Sequence, residues 1–116
     1  DATDESIVAE VVREKVLLRT KEEVPHAVGV ACDELSFKKG GRVLVARATI
    51  YVEREGQKGI IIGKRGHVLK SIGIDARRDL ERLFNCTVSL ELEVRVKPDW
   101  RQDAREIRRF GYSADD

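Results

Sequence analysis

The sequence predicts an α+β domain, a three-stranded sheet with helices packed on one of its faces. Two observations carry this expectation. Apolar residues recur at helical spacing in the segments 6–19 and 68–84, whereas in three other runs they alternate with polar ones at a period of two. In the last of those runs Val88, Leu90, Leu92, Val94 and Val96 share one face, and Thr87, Ser89, Glu91, Glu93, Arg95 and Lys97 the other. A sheet patterned in this way buries one face and wets the other.

The totals bound the rest. A chain of 116 residues is one domain and can bury roughly two thirds of its unfolded surface, enough for a core without staples. With 41% hydrophobic and 37% charged residues it is globular, with a heavily charged exterior. Twenty-two bases against 21 acids leave a net charge of +1, so any anion site must come from local clustering. Cys32 and Cys86 have no CxxC or histidine partner at ligand spacing and read as small buried hydrophobes in a reducing compartment. No metal site or cofactor is expected. No run reaches membrane-spanning length and no signal-peptide pattern opens the chain, so a soluble cytoplasmic protein is expected.

Residues 1–5 are acidic and polar, suiting a frayed start or a linker. From Ser6, the residues Ile7, Val8, Val11, Val12, Val16 and Leu18 form a helical stripe, with acids early and bases late as the helix dipole favours. Pro25 stops that helix. Val28, Val30 and Cys32 then alternate as a strand, and Lys38-Lys39-Gly40-Gly41 is a turn. The next strand has Leu44, Ala46, Ala48, Ile50 and Val52 inward and Arg47, Thr49, Tyr51 and Glu53 outward, pairing antiparallel with the first. Lys58 to Ile62 makes a single helical turn before Gly63. A longer helix follows through Val68, Leu69, Ile72, Ala76, Leu80, Leu83 and Phe84. It carries Gly73 at a cost of about 1 kcal/mol against alanine, for which close packing on the sheet is the expected reason. Asn85 stops it and the third strand begins at Thr87. After Pro98, Asp99 with Gln102 three residues on is a capping-box spacing, predicting a last helix over 99–110 that packs through Trp100, Ala104 and Ile107, and 111–116 is a tail.

The chemistry concentrates at Ile60-Ile61-Ile62-Gly63-Lys64-Arg65-Gly66-His67. Glycines on both sides strip away the Cβ atoms that would shield the backbone, two cations want an anion, and the isoleucines want burial. A Walker A loop is excluded: the spacing from Gly59 is one residue short, and Arg65 stands where a metal-binding hydroxyl is required. For gripping a phosphate backbone the segment is well supplied, because Gly63 and Gly66 allow close approach and a helix N-terminus follows. Lys58, Lys64, Arg65 and Lys70 fall between Gly56 and Ile74, where there is no acid. Single-stranded nucleic acid suits this better than a duplex, with about four nucleotides held by the turn and bases laid on an apolar groove. Ile61, Ile62, Leu69 and Ile72 are candidates for that groove, shared between contact and core. Aromatics are only 5%, so stacking is not the main mode. Neither His26 nor His67 has a catalytic partner at useful spacing, though His67 can donate to a phosphate.

Ile61-Ile62-Gly63-Lys64-Arg65-Gly66-His67-Val68-Leu69 resembles the core motif of KH domains, and the element order resembles the type II arrangement, α-β-β-α-α-β. Glu23-Val24-Pro25-His26, residues 57–64, Leu69-Lys70-Ser71-Ile72-Gly73 and residues 94–101 together closely resemble the C-terminal domain of the Era GTPases. The resemblance implies a type II KH domain over 6–110 that binds the single-stranded 3′ end of small-subunit ribosomal RNA during ribosome assembly. It implies RNA contacts from Gly63, Lys64, Arg65, Gly66, His67, Lys58, Ile61, Ile62 and Lys70. Arg65 adds a charge where many relatives carry a smaller residue. The family's GTPase domain would lie upstream, since neither a complete P-loop nor a guanine-specificity motif is present here, and no enzymatic activity is expected of this chain. The small ribosomal subunit is the implied partner, with a monomeric, cytoplasmic protein peripheral to the inner membrane and no integral membrane segment. The alternative is a KH-fold module whose apolar groove docks a protein, leaving the glycine turn idle.

Overall fold

The computed structural model describes residues 3–20 and 28–100. Helix α1 (Asp4–Thr20) begins two residues before Ser6, because the Thr3 hydroxyl accepts the Ser6 N–H at 3.0 Å and caps the first turn. Its buried row is Val8, Val12, Val16 and Thr20, each four residues from the last. Leu18, expected on that stripe, lies well round the helix and is 61% exposed. Thr20 takes the place at the end of the row, its hydroxyl donating to the Val16 carbonyl at 2.8 Å.

Strand β1 (Gly29–Lys38) pairs antiparallel with β2 (Val43–Val52) across the turn Lys39–Gly41. A bulge between Cys32 and Glu34 interrupts the expected alternation and leaves Asp33 beside Thr49, whose hydroxyl donates to the Asp33 carboxylate at 2.5 Å. Thr49 was expected in solvent and is instead buried. The inward row of β2, Leu44, Ala46, Ala48, Ile50 and Val52, is buried throughout as the alternation requires.

Helix α2 (Glu55–Ile62) has two turns where one was expected. The Gln57 side chain explains the earlier start, since its Oε1 accepts the N–H groups of Glu53 and Arg54, both at 3.0 Å. Helix α3 (His67–Phe84) ends at Asn85, which adopts the left-handed conformation with φ 53°. Ile72, Ala76 and Leu80 form its core face, while Leu83 is 63% exposed against expectation. Strand β3 (Thr87–Val96) runs parallel to β2, giving the mixed sheet order β1-β2-β3 with β3 at an edge among the described strands.

The described order, α1-β1-β2-α2-α3-β3, is the type II KH order, with the three helices on one face of the sheet. The core joins Val8, Val12 and Val16 of α1, Ile61 of α2 and Ile72, Ala76 and Leu80 of α3 to the inward residues of the strands. Lys15 to Asp79 at 2.5 Å and Arg19 to Asp75 at 2.8 Å tie α1 to α3. Burial raises the Cys32 thiol to about 11, helped by the charges of Glu5 and Asp33 and opposed by its contact with the Glu34 carbonyl. Both cysteines are half-buried and free, so neither is the fully buried hydrophobe expected. Residues 101–110 of the expected last helix, the tail, and His26 lie outside the described residues. Asp99 has φ 62°, a left-handed conformation unlike the extended backbone of an N-cap.

Candidate nucleic-acid interface

The turn between α2 and α3 is set by two glycines used differently. Gly63 closes α2 by donating its N–H to the Gly59 carbonyl at 2.8 Å, then turns to φ 73°, ψ 176°, a region essentially reserved for glycine. A Cβ there would collide with the Val68 side chain. Gly66 is left-handed at φ 75°, ψ 13°, with open space where its Cβ would be. Its N–H returns to the Gly63 carbonyl at 3.1 Å. Between them Arg65 is held at φ 56°, a conformation costing an ordinary residue about 1–2 kcal/mol. Lys64 and Arg65 are exposed at the head of α3, whose first turn carries no acid. The N–H groups of a helix's first turn have no partner within the helix, so backbone donors and two cations converge here.

From Gly66 an open groove runs between α3 and β3. One wall is Leu69, Lys70, Gly73, Ile74 and Arg77 of α3, and the other is residues 88–92 of β3. Leu90 and Leu92 were expected inside; they are half-buried because β3 is an edge strand that α3 does not fully cover, and they make the groove's apolar floor. The N–H groups of Thr87 and Lys97 point to the β2 side, donating to Arg42 and Val52 carbonyls at 3.1 and 2.7 Å. By the alternation of a strand, the N–H and C=O groups of Leu90 and Leu92 therefore face the edge of β3 that no other described strand pairs with, beside the groove. Val88, of the same parity, sends its N–H to the Glu81 carboxylate at 3.0 Å.

The structure sorts the expected site residues. Gly63, Lys64, Arg65, Gly66 and the exposed His67 share the turn, Lys70 joins them along the groove wall, and Lys58 is half-buried on α2. Ile61 is a correction: it is completely buried, as is Ile72, and both support the turn from the core. Ile62 is half-buried against the same core, whereas Ile60 is 37% exposed. Sequence reasoning passed over Arg77 and Ile74. The seven-residue step from Lys70 to Arg77 is two helical turns and was the available signal.

Among the described residues, ion pairing engages only some of the cations, and Arg13, Arg54 and Arg78, which do not line the groove, are among those outside any pair. Lys15, Arg19, Arg47, Arg82 and Arg95 are all engaged with carboxylates, on the helix layer or the outer face of the sheet. Among the described residues, Lys58, Lys64, Arg65, Lys70 and Arg77 make no ion pair. No group of three or more His, Cys, Asp or Glu among the described residues is placed to hold a metal, and no helix there is long and apolar enough to cross a membrane.

A left-handed glycine turn leading into an amphipathic helix beside a free parallel strand edge defines a KH-type domain. A family model described as KH domain matches residues 23–101, and the chain belongs to that family. Within it, the similarity is to the C-terminal KH domain of the Era GTPases. The chain is 47% identical over 113 residues to GTPase Era of Caldicellulosiruptor saccharolyticus and 46% identical over 112 residues to that of Lactobacillus helveticus. It is similar, at a TM-score of 0.86 and 43% identity over 97% of its length, to a crystal structure of a single-site variant of Aquifex aeolicus Era bound to GDP·AlF4−. A structure of Era in complex with MgGDPNP and nucleotides 1506–1542 of 16S ribosomal RNA matches equally well. The chain spans only 38% and 37% of the curated relatives' length and 38% of those solved chains.

Proposed function

We propose that this chain binds single-stranded RNA through the Gly63–Gly66 turn and the groove beside β3. The RNA is the 3′ end of small-subunit ribosomal RNA, and the chain serves as the RNA-binding part of an Era-type GTPase in small-subunit assembly. The observation that carries the reading is the coincidence of Lys64, Arg65, Lys70 and Arg77, none ion-paired among the described residues, with the free edge of β3 along one groove. The turn holds phosphates with backbone donors and charge, the bases lie on Leu69, Ile74, Leu90 and Leu92, and the backbone groups of Leu90 and Leu92 read base edges. The relative in complex with 16S ribosomal RNA supports the choice of ligand. The relatives are named as GTPases and this chain spans 38% of the first, so we assign GTP hydrolysis to the part outside it and expect no nucleotide turnover from the chain on its own.

Fluorescence anisotropy of labelled single-stranded RNA tests this. Replacing Lys64→Asp and Arg65→Asp together abolishes binding while leaving the thermal midpoint in place, because both side chains are exposed. Binding that survives the double replacement rejects the clamp.

A further inference from the structure

A second set of cations stands at the far end of the groove. The β1–β2 tip carries Lys38, Lys39 and Arg42, all exposed, and there is no acid from Leu35 to Ala46. Among the described residues none of the three makes an ion pair. The tip backbone is tightly turned: Lys39, Gly40 and Gly41 have φ of 52°, 66° and 88°, and Arg42 Nε donates to the Lys39 carbonyl at 3.0 Å.

An exposed basic hairpin is ordinarily just solvated. What distinguishes this one is its register with the groove. The Arg42 carbonyl accepts the Thr87 N–H at 3.1 Å and Val43 pairs with Thr87, so the tip stands one residue from Val88, where the groove ends. Arg77 lines the same groove on the α3 side. The two acids that border this region are both engaged, Glu81 with the Val88 N–H and Glu91 with Arg47 Nε at 3.1 Å. Among the described residues, cations outside any ion pair stand at the turn, along the α3 wall and at the hairpin, with the β3 edge connecting these three places, although Arg13, Arg54 and Arg78, which also make no ion pair, lie off that track.

We infer that the bound strand does not end with the nucleotides held by the turn. It continues along β3, past Arg77, to the β1–β2 tip, where Lys38, Lys39 and Arg42 hold its backbone phosphates. This rests on the RNA-binding reading above and extends its footprint.

The test compares single-stranded RNAs of about 4 and about 12 nucleotides, without self-complementarity, on the parent chain and on a Lys38→Gln, Lys39→Gln, Arg42→Gln variant. The parent binds the longer RNA more tightly. The variant keeps its affinity for the short RNA and loses roughly tenfold for the long one, and its salt slope with the long RNA falls by about 2, near 0.7 per phosphate contact removed. If the variant matches the parent on both RNAs, the extension is wrong while the clamp stands. If the parent binds neither RNA, both readings fall. A thermal midpoint equal to the parent's shows that the variant is folded.

Discussion

Trp100 stacks on Tyr51, with ring centroids 4.9 Å apart and planes inclined by 18°, and Lys97 Nζ lies 5.3 Å from the indole centroid. Tyr51 alternates with the buried Ile50 and Val52, so the stack sits on the sheet face away from the helices. Gly29 pairs with Tyr51 across the β1–β2 ladder, and the indole occupies the space that a Cβ on Gly29 would need. The alternation of β2 and β3 implied a wet outer face; at this end an aromatic residue beyond β3 covers it.

Gly29→Ala should therefore force the indole off Tyr51, at about 1–3 kcal/mol as for other overpacked sites. Trp100 is the only tryptophan in the chain, so its fluorescence reports the displacement directly. A red-shifted emission together with a lowered thermal midpoint is expected. An unchanged spectrum would mean that the stack does not persist in solution.

The two glycines of the turn should respond differently to the same replacement. Gly66 is left-handed with free space around it, which asparagine tolerates, whereas Gly63 combines a backbone region closed to side chains with contact against Val68. Gly63→Asn is expected to cost roughly 1–3 kcal/mol and to lose RNA binding, while Gly66→Asn keeps nearly the parent's thermal midpoint. Thermal denaturation of the two variants decides it.

Much of this architecture was legible because period and punctuation agree in the sequence. The inward row of β2, the Gly40–Gly41 turn and the Asn85 stop follow from local rules alone. The failures come from tertiary context. Leu18 and Leu83 have the right chemistry for a core but lie off the faces where α1 and α3 meet the sheet, and nothing in a single helix says how wide its buried stripe is. The bulge at Asp33 depends on a partner sixteen residues away, the Thr49 hydroxyl. At the site, the turn announced itself through its glycines and cations. Which isoleucine faces out was undecidable, because Ile60, Ile61 and Ile62 differ only in their rotation about α2. Arg77 was hidden by lying nearly three turns into a helix rich in ordinary charges.

The contact between α1 and α3 makes a pH-dependent contribution of known sign. The hydrogen bond from Lys15 holds the Asp79 carboxyl below its ordinary 3.8, burial works against this, and the charges of Lys15 and Arg82 add to it. The unfolded chain then binds the proton first, so the stabilisation is present above 3.8 and disappears as pH falls through the lowered value. The Lys15 ammonium is raised above 10.5, chiefly by its hydrogen bond to Asp79, so that part is present below 10.5 and is lost as pH rises through the raised value. Asp79→Asn should lower the thermal midpoint at neutral pH, and the difference from the parent should shrink on acidification below 3.8. Equal midpoints at neutral pH would show that solvent screening cancels the pair.

Gly73 offers the sharpest separation of stability from function. It was expected to be required by close packing of α3 on the sheet, yet a Cβ there meets Leu92 Cδ1 at 3.7 Å, an ordinary contact. Alanine fits, and in a helix interior it is favoured over glycine by about 1 kcal/mol. The position lines the groove, so the added methyl narrows the space in which bases would lie. Gly73→Ala should raise the thermal midpoint by roughly 4 °C and weaken single-stranded RNA binding at the same time. Higher stability with undiminished affinity would move the bases away from this part of α3. Lower stability would show that Leu92 cannot accommodate the methyl, restoring the packing explanation.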